Sequence, residues 1–375
     1  MKTITTILFA LVQSLFFIAD AFSEDDIVIG QSASFTGSFS EQAIAYRDGA
    51  LLYFEEINRT GGIKGRKVKL ISLDDHHDNA VAIANTDRFI ADESVVALMN
   101  YTWTPTVRAV LPAVNKAKIA FLAPYTGVAD VYRSSNPTVF TIRASYVAEL
   151  DMIVRHLATL GMKKIALARY SGTVGDEFRV DLENLAKKYG ATIVAEGLTK
   201  PDSGDNSASI KKILGIKADA IILGISGSDA VNFVHKFNIE TPYKIAYFAR
   251  SLVGAKQLIK ELGKESAGIS VTQLVPNPYK QGLPLTKEFR DLFLKKSPLS
   301  TPDYISLEGY IAARVMSEAL LHTNGRPTRA ELVNTLSHLG KVNNGGFELN
   351  FRPSNHNGSE FVDLTMIGRD GKIIN

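Results

Sequence analysis

Residues 95–127, VVALMNYTWTPTVRAVLPAVNKAKIAFLAPYTG, repeat one pattern twice: a short apolar run, then a turn rich in hydroxyls. The runs 95–99 and 119–123 have the composition of buried strands. Each turn, Tyr101-Thr102-Trp103-Thr104-Pro105-Thr106 and Ala123-Pro124-Tyr125-Thr126-Gly127, opens a helix. Unpaired N–H groups and threonine hydroxyls at such a helix start favour a carboxylate or another anionic or polar head. Thr104 and Thr126 read equally well as helix caps. Neither turn contains a nucleophile, a base or a metal ligand, so the pair points to holding a small molecule rather than transforming it.

The same alternation extends outward in both directions. Strands are expected over 27–30, 68–73, 95–99, 119–123 and 139–143, and a second series over 164–168, 192–196, 220–224, 244–248 and 268–273. Amphipathic stretches separate them, such as 41–58, where Ile44, Leu51, Phe54 and Ile57 can line one face before the stop at Thr60-Gly61-Gly62. Repeated βαβ units imply an α/β fold of two doubly wound parallel-sheet lobes joined by hinge strands. Right-handed crossovers open all strand carboxyl ends of a lobe on one edge, where ligands of such sheets bind. Two facing lobes would place that crevice between them. After Pro276 the pattern changes to helices over 286–295, 303–322 and 328–339, then short strands over 347–350 and 361–367. The expected division is 24–143 with 276–342 for the first lobe, and 144–275 with 343–375 for the second.

At the N-terminus, Lys2, an apolar run over 4–18, and the small residues Ala19, Ala21 and Ser23 before Glu24 read as a secretory signal, 1–23. The run is short for a membrane span, and no other segment reaches the roughly 18 uncharged residues that a span needs. A soluble, periplasmic mature chain without membrane insertion is expected. The 375 residues include no cysteine, which rules out disulfides and thiol catalysis. The charge of +3 is spread over 42 basic and 39 acidic residues without a basic block, giving no support to nucleic-acid binding.

Several constellations are set aside. Asp74-Asp75-His76-His77-Asp78 has ligand-type residues, but consecutive side chains at a strand end diverge, so it reads as a solvated turn capping the helix that begins near Asn79. Gly61-Gly62-Ile63-Lys64-Gly65-Arg66-Lys67 precedes a strand and lacks the Gly-Lys-Ser/Thr ending of a phosphate loop. No G-x-S-x-G, H-E-x-x-H or G-x-G-x-x-G motif occurs. Neither a cofactor, a metal nor catalysis is expected.

The stretches Ile27-Val28-Ile29-Gly30, Phe35-Thr36-Gly37, Ile57-Asn58-Arg59-Thr60-Gly61-Gly62-Ile63-Lys64-Gly65-Arg66, Leu73-Asp74-Asp75, the two threonine turns, and Phe140-Thr141-Ile142-Arg143-Ala144-Ser145-Tyr146 together carry a family resemblance. Over essentially the whole mature chain the sequence resembles the type I periplasmic binding proteins of ABC importers, in the branched-chain amino acid-binding (leucine/isoleucine/valine-binding) family. The resemblance implies a monomer that captures a small ligand and delivers it to an ABC permease in the inner membrane. It assigns the ligand carboxylate to Thr104 and to Tyr125, Thr126 and Gly127. Thr36, Tyr101 and Tyr146 are further candidates, and the second lobe would contribute Ser226 and Ser251. The aromatics near the turns read equally as core or rim packing.

Two departures stand out. Val174, in Ser171-Gly172-Thr173-Val174-Gly175-Asp176, occupies the place of the family's covering aromatic, and Ser251 the place of the acid that neutralises an amino acid's ammonium. An ammonium left unpaired in a closed cleft costs several kcal/mol. The expected ligand is therefore a carboxylate or polar compound rather than a standard α-amino acid held in the usual way. A ligand-sensing module for a membrane receptor or regulator is the rival reading, with an exported enzyme third.

Overall fold

The computed structural model describes residues 26–374; the segment read as a signal lies outside the described residues. Among them, no helix is long and apolar enough to cross a membrane.

The first lobe begins β1 (Ile27–Ala33), α1 (Ser40–Arg59), β2 (Val68–Asp74), α2 (Asn79–Ala91), β3 (Val95–Met99), α3 (Thr104–Ala117), β4 (Ala120–Leu122) and β5 (Val139–Phe140). The chain then builds the second lobe through α4 (Tyr146–Thr159), β6 (Lys164–Tyr170), α5 (Thr173–Lys188), β7 (Thr192–Thr199), α6 (Ser207–Ile213), β8 (Ala220–Gly224), α7 (Gly227–Glu240), β9 (Ala246–Ala249), α8 (Ala255–Leu262) and β10 (Ser270–Gln273). It returns as α9 (Pro284–Lys296), α10 (Tyr304–His322), α11 (Arg329–Ser337), β11 (Gly340–Asn343) and β12 (Glu348–Phe351), and closes with β13 (Asp363–Ile367) and β14 (Ile373–Ile374).

One sheet has the order β2-β1-β3-β4-β5, all parallel. The other runs β14-β13-β10-β9-β8-β6-β7, and its parallel part, β7-β6-β8-β9-β10, repeats the order of the first. In that sheet β13 and β14 are the antiparallel strands, and β11 and β12 form a separate antiparallel pair. The molecule is thus the expected pair of doubly wound lobes.

Both faces of each sheet are buried, which is why the strands read as continuous apolar runs. Ile27 and Ile29 of β1 face the core under α1, α10 and α11, whereas Val28 faces the one under α2 and α3. In the second lobe Ala166 and Ala168 face α7 and α8, while Ile165 and Leu167 face α4 and α5.

Helices α1 and α10 cross at glycines: a Cβ at Gly49 would lie 1.8 Å from the Ser306 carbonyl oxygen, and one at Gly309 1.9 Å from that of Tyr46. This approach centres the buried stripe of α1 on Ala43, Tyr46, Ala50 and Phe54. Ile44, expected inside, is 37% exposed. The strand expected over 139–143 stops at Phe140 because the Thr141 N–H turns to the His356 carbonyl, 2.9 Å away. The boundary read at 342/343 would put β12 in the second lobe, but Leu349 and Phe351 pack into the first-lobe core. The chain recrosses only after β12, where β13 joins β10.

Candidate ligand-binding site

The turns after β3 and β4 meet the turns after β6, β8 and β9 around a cavity of about 530 Å³. All lie at strand carboxyl ends, where open parallel sheets bind ligands. The first lobe contributes Phe39, Trp103, Thr104 and Tyr125; the second contributes Tyr170, Thr173, Val174, Phe178 and Ser226, with Arg250 and Leu252 from the turn after β9.

Three helices start at this cavity, and none has a side-chain cap: α3 after Trp103, α5 after Gly172 and α7 after Ser226. Their first N–H groups and positive dipole ends favour negative charge there. Trp103 and Gly172 both have positive φ, 70° and 94°, which turns the chain sharply from strand into helix.

The threonine turns are joined by a hydroxyl triangle. Thr104 Oγ1 lies 2.7 Å from Thr126 Oγ1 and 2.9 Å from the Tyr146 hydroxyl, which is 3.0 Å from Thr126 Oγ1. Thr104 and Tyr146 face the cavity, and Thr126 is buried one layer behind. Thr104 does not cap α3, whose N-cap is Trp103, and the second turn opens no α-helix as expected: only the 3₁₀ turn Ala129–Tyr132 follows Thr126.

The other sequence candidates divide. Tyr125 and Ser226 line the cavity. Gly127 lies against Tyr146, with no room for a Cβ, and borders a neighbouring cavity. Tyr101 does not reach the ligand space: its ring is fully buried among α2 and α3 residues and its hydroxyl lies 3.2 Å from Thr86 Oγ1. Thr36 is on the rim, 2.8 Å from His76 Nδ1, outside the cavity lining. Ser251 also lies outside the lining. Arg143 Nη2 donates to its hydroxyl at 2.7 Å, and its own N–H donates to Glu149 Oε2 at 2.7 Å, inside a buried cluster that includes Glu308, 3.3 Å from Arg143 Nε. A serine so engaged cannot turn to the ligand.

The structure adds residues that sequence reasoning missed. Tyr170, the last residue of β6, sets its ring 5.6 Å from Trp103 and its hydroxyl 3.0 Å from Asp229 Oδ2. Phe178, one helical turn after Val174, also faces the cavity, so the covering aromatics come from positions flanking the valine. Position at a strand end and an i, i+4 offset were the available signals. Among the described residues no Asp or Glu lines the cavity, whereas Arg108 and Arg250 do. Arg108 is paired with Asp130 and Glu177.

The lobes touch through the start of α1. Ser38 N–H donates to Asp202 Oδ1 at 2.9 Å, Ser228 N–H donates to the Ser38 carbonyl at 3.2 Å, and Gln42 Nε2 donates to Gln257 Oε1 at 2.6 Å. The 74–78 cluster is dispersed among such duties: Asp78 caps α2, Asp75 accepts from Ser34, and His77 reaches Asp202. Among the described residues no group of three or more His, Cys, Asp or Glu could hold a metal ion.

The family model described as periplasmic binding protein matches residues 26–372. A Leu/Ile/Val-binding protein homolog 7 of Brucella melitensis is 24% identical over 93% of this chain and 90% of its own length. An amino acid binding protein of Pseudomonas aeruginosa is 28% identical, but the match spans about half of each chain, 53% of this one and 54% of that one. Among solved structures, a possible leucine/isoleucine/valine-binding protein from Rhodopirellula baltica superposes with a TM-score of 0.88 at 26% identity, covering 95% of this chain and 98% of that one. These relatives are named as binding proteins, and the chain belongs to the periplasmic binding protein family.

Proposed function

We propose that the protein is the extracytoplasmic substrate-binding component of an ABC import system, which captures a small carboxylate-bearing or polar ligand between its lobes and delivers it to a membrane permease. The observation that carries this reading is the inter-lobe cavity of about 530 Å³, bounded by three uncapped helix starts and aromatic rings, and lined by no acid. Its volume suits a single metabolite-sized molecule.

Thr104 and the α3 N-terminus on the first lobe receive the ligand. Closure then brings Tyr170, Ser226 and the α5 and α7 starts over it, a hinge motion driven by the ligand's higher affinity for the shut form. The named relatives support a ligand of amino-acid size. The missing acid argues against the ammonium of an amino acid, since a buried unpaired ammonium costs several kcal/mol.

Denaturing the protein purified from its native periplasm and identifying the released molecules by mass spectrometry tests the reading, with titration of each compound following the fluorescence of Trp103. Trp103 is the sole tryptophan and lines the cavity, so occupancy should change its emission. Absence of any bound or titratable small molecule would refute the proposal.

A further inference from the structure

Arg250 is the residue that the ligand reading leaves unexplained. It follows β9 in the second lobe, is only 6% exposed, and lines the cavity. Its guanidinium carbon lies 4.0 Å from the Tyr146 ring centroid and 4.3 Å from that of Phe178, so the planar group is clamped between two aromatic faces. Aromatic faces satisfy the flat sides of a guanidinium and leave its N–H edge to find acceptors in the plane. Nε is buried and has no acceptor. Among the described residues no carboxylate comes within 4.0 Å of its nitrogens.

Other charges act on it only from further away. Glu149 accepts from Ser251 N–H and Thr272 Oγ1 through Oε2, Asp181 borders the neighbouring cavity, and Arg143 adds repulsion. Burial lowers the guanidinium's pKa from its ordinary value, the mark of a cation stripped of water. An arginine nonetheless remains charged in a protein. A buried, charged, acid-less guanidinium is costly unless an anion completes it.

Arg250 also touches the neighbouring cavity of about 720 Å³, which it shares with Tyr146, Val174 and Phe178. That second space is lined by Glu177, Asp181 and Glu360 as well as Arg108 and Arg133, whereas among the described residues the first is lined by no acid. An anion is therefore favoured on the first side, where the uncapped starts of α3, α5 and α7 add to the same field.

We propose that Arg250 is the anion receptor of the cavity: it takes the ligand's carboxylate in charge-assisted hydrogen bonds from the second lobe, and the ligand is an amine-free organic acid whose apolar body lies among Phe39, Trp103, Tyr125 and Tyr170. This rests on the binding function proposed above and specifies its chemistry. The carboxylate then draws the second lobe onto the first, because its partner sits on the closing side. Thr104 meets the other end of the ligand or a second oxygen.

The test compares acids with their uncharged amides on the unaltered mature protein by calorimetry: phenylacetate against phenylacetamide, and isocaproate against isocaproamide, with L-leucine as the amine-bearing control. The acids should bind at least about tenfold more tightly than their amides and than L-leucine, the scale of a hydrogen bond to a charged group. Arg250→Met should abolish the acid preference, and Arg250→Lys should restore part of it. If the arginine serves only as a clamp between Tyr146 and Phe178, Arg250→Met lowers the melting temperature but keeps the acid preference, which overturns the proposal. Equal or tighter binding of the amides or L-leucine by the unaltered protein overturns it too while leaving the binding function standing. If none of the five compounds binds, the proposal falls, and the binding function falls with it only if the protein also releases no small molecule on denaturation. The acid and amide comparison needs no variant, so it decides the question even if Arg250→Met does not fold.

Discussion

His77 Nδ1 lies 2.8 Å from Asp202 Oδ2, a contact that joins the turn after β2 in the first lobe to the turn after β7 in the second. His77 also stacks on Trp103, with ring centroids 4.6 Å apart, so the inter-lobe contact adjoins a wall of the cavity. Asp202 accepts from Ser38 N–H as well, which makes its carboxylate a two-pronged latch.

Removing that latch is expected to weaken ligand binding without unfolding either lobe. Burial alone would raise the Asp202 carboxyl, but the hydrogen bonds from Ser38 and His77 outweigh it and hold the pKa below the usual carboxylate value. The contribution is therefore present above the ordinary carboxylate pKa and lost as pH falls through the depressed one. Because the site is only partly buried, Asp202→Ala should cost no more than about 1 kcal/mol of affinity. Calorimetry with the cognate ligand checks this; an unchanged affinity would show that the latch does not select the shut form.

The two threonines, equivalent in sequence, should separate in behaviour. Thr104→Ala removes a hydroxyl that lines the cavity and is expected to weaken binding by about 1–3 kcal/mol, beside a loss of apo stability of about 1 kcal/mol from the bonds it shares with Thr126 and Tyr146. Thr126→Ala removes a fully buried hydroxyl that pairs with Thr104 and Tyr146. Its main effect should be a loss of about 1–2 kcal/mol of folding stability, read in urea melts beside titrations of both variants.

Gly127 has no space for a side chain. A Cβ there would stand 2.5 Å from Tyr146 Cδ1 and 2.7 Å from the Tyr146 backbone nitrogen. Gly127→Ala should thus displace the start of α4, break the hydroxyl triangle and cost about 1–3 kcal/mol of stability. It should also weaken binding, since Tyr146 faces the cavity and backs Arg250. A variant with unaltered melting and affinity would contradict the packing described.

Glu308 supplies a pH dependence in the buried cluster around Arg143. Burial pushes its carboxyl from the ordinary 4.5 up to about 7, with the Arg143 guanidinium opposing the rise. Between those two values the folded protein binds more protons than the unfolded chain. The contribution is full below about 4.5, and stability falls as pH rises through about 7, by up to about 3 kcal/mol. Glu308→Gln should flatten the melting temperature profile between pH 5 and pH 8; a slope equal to that of the unaltered protein would place the titration elsewhere.

Much of this architecture is legible along the chain. Strands buried on both faces declare themselves as apolar runs, and the expected 95–99 and 220–224 coincide with β3 and β8. The buried face of α1 was less legible, because Gly49 and Gly309 let two helices approach and so choose which stripe is covered. At the site, Thr104 and Tyr146 could be anticipated from turns that follow strands. Ser251 could not be placed correctly, since its partners Arg143 and Glu149 lie about a hundred residues away in sequence.

By itself the amino-acid sequence determined the alternation of strands and helices, the two-lobe α/β fold and the family, because these follow from local periodicity and turn chemistry. Only the tertiary structure decided which residue of the turn after β9 lines the cavity. Ser251 and Arg250 are adjacent in sequence, yet one is absorbed by a buried network and the other is held between Tyr146 and Phe178 at the cavity wall. Side-chain direction in an irregular turn is set by the partners that packing delivers, and those partners come from the loop after β5, from α4 and from α5.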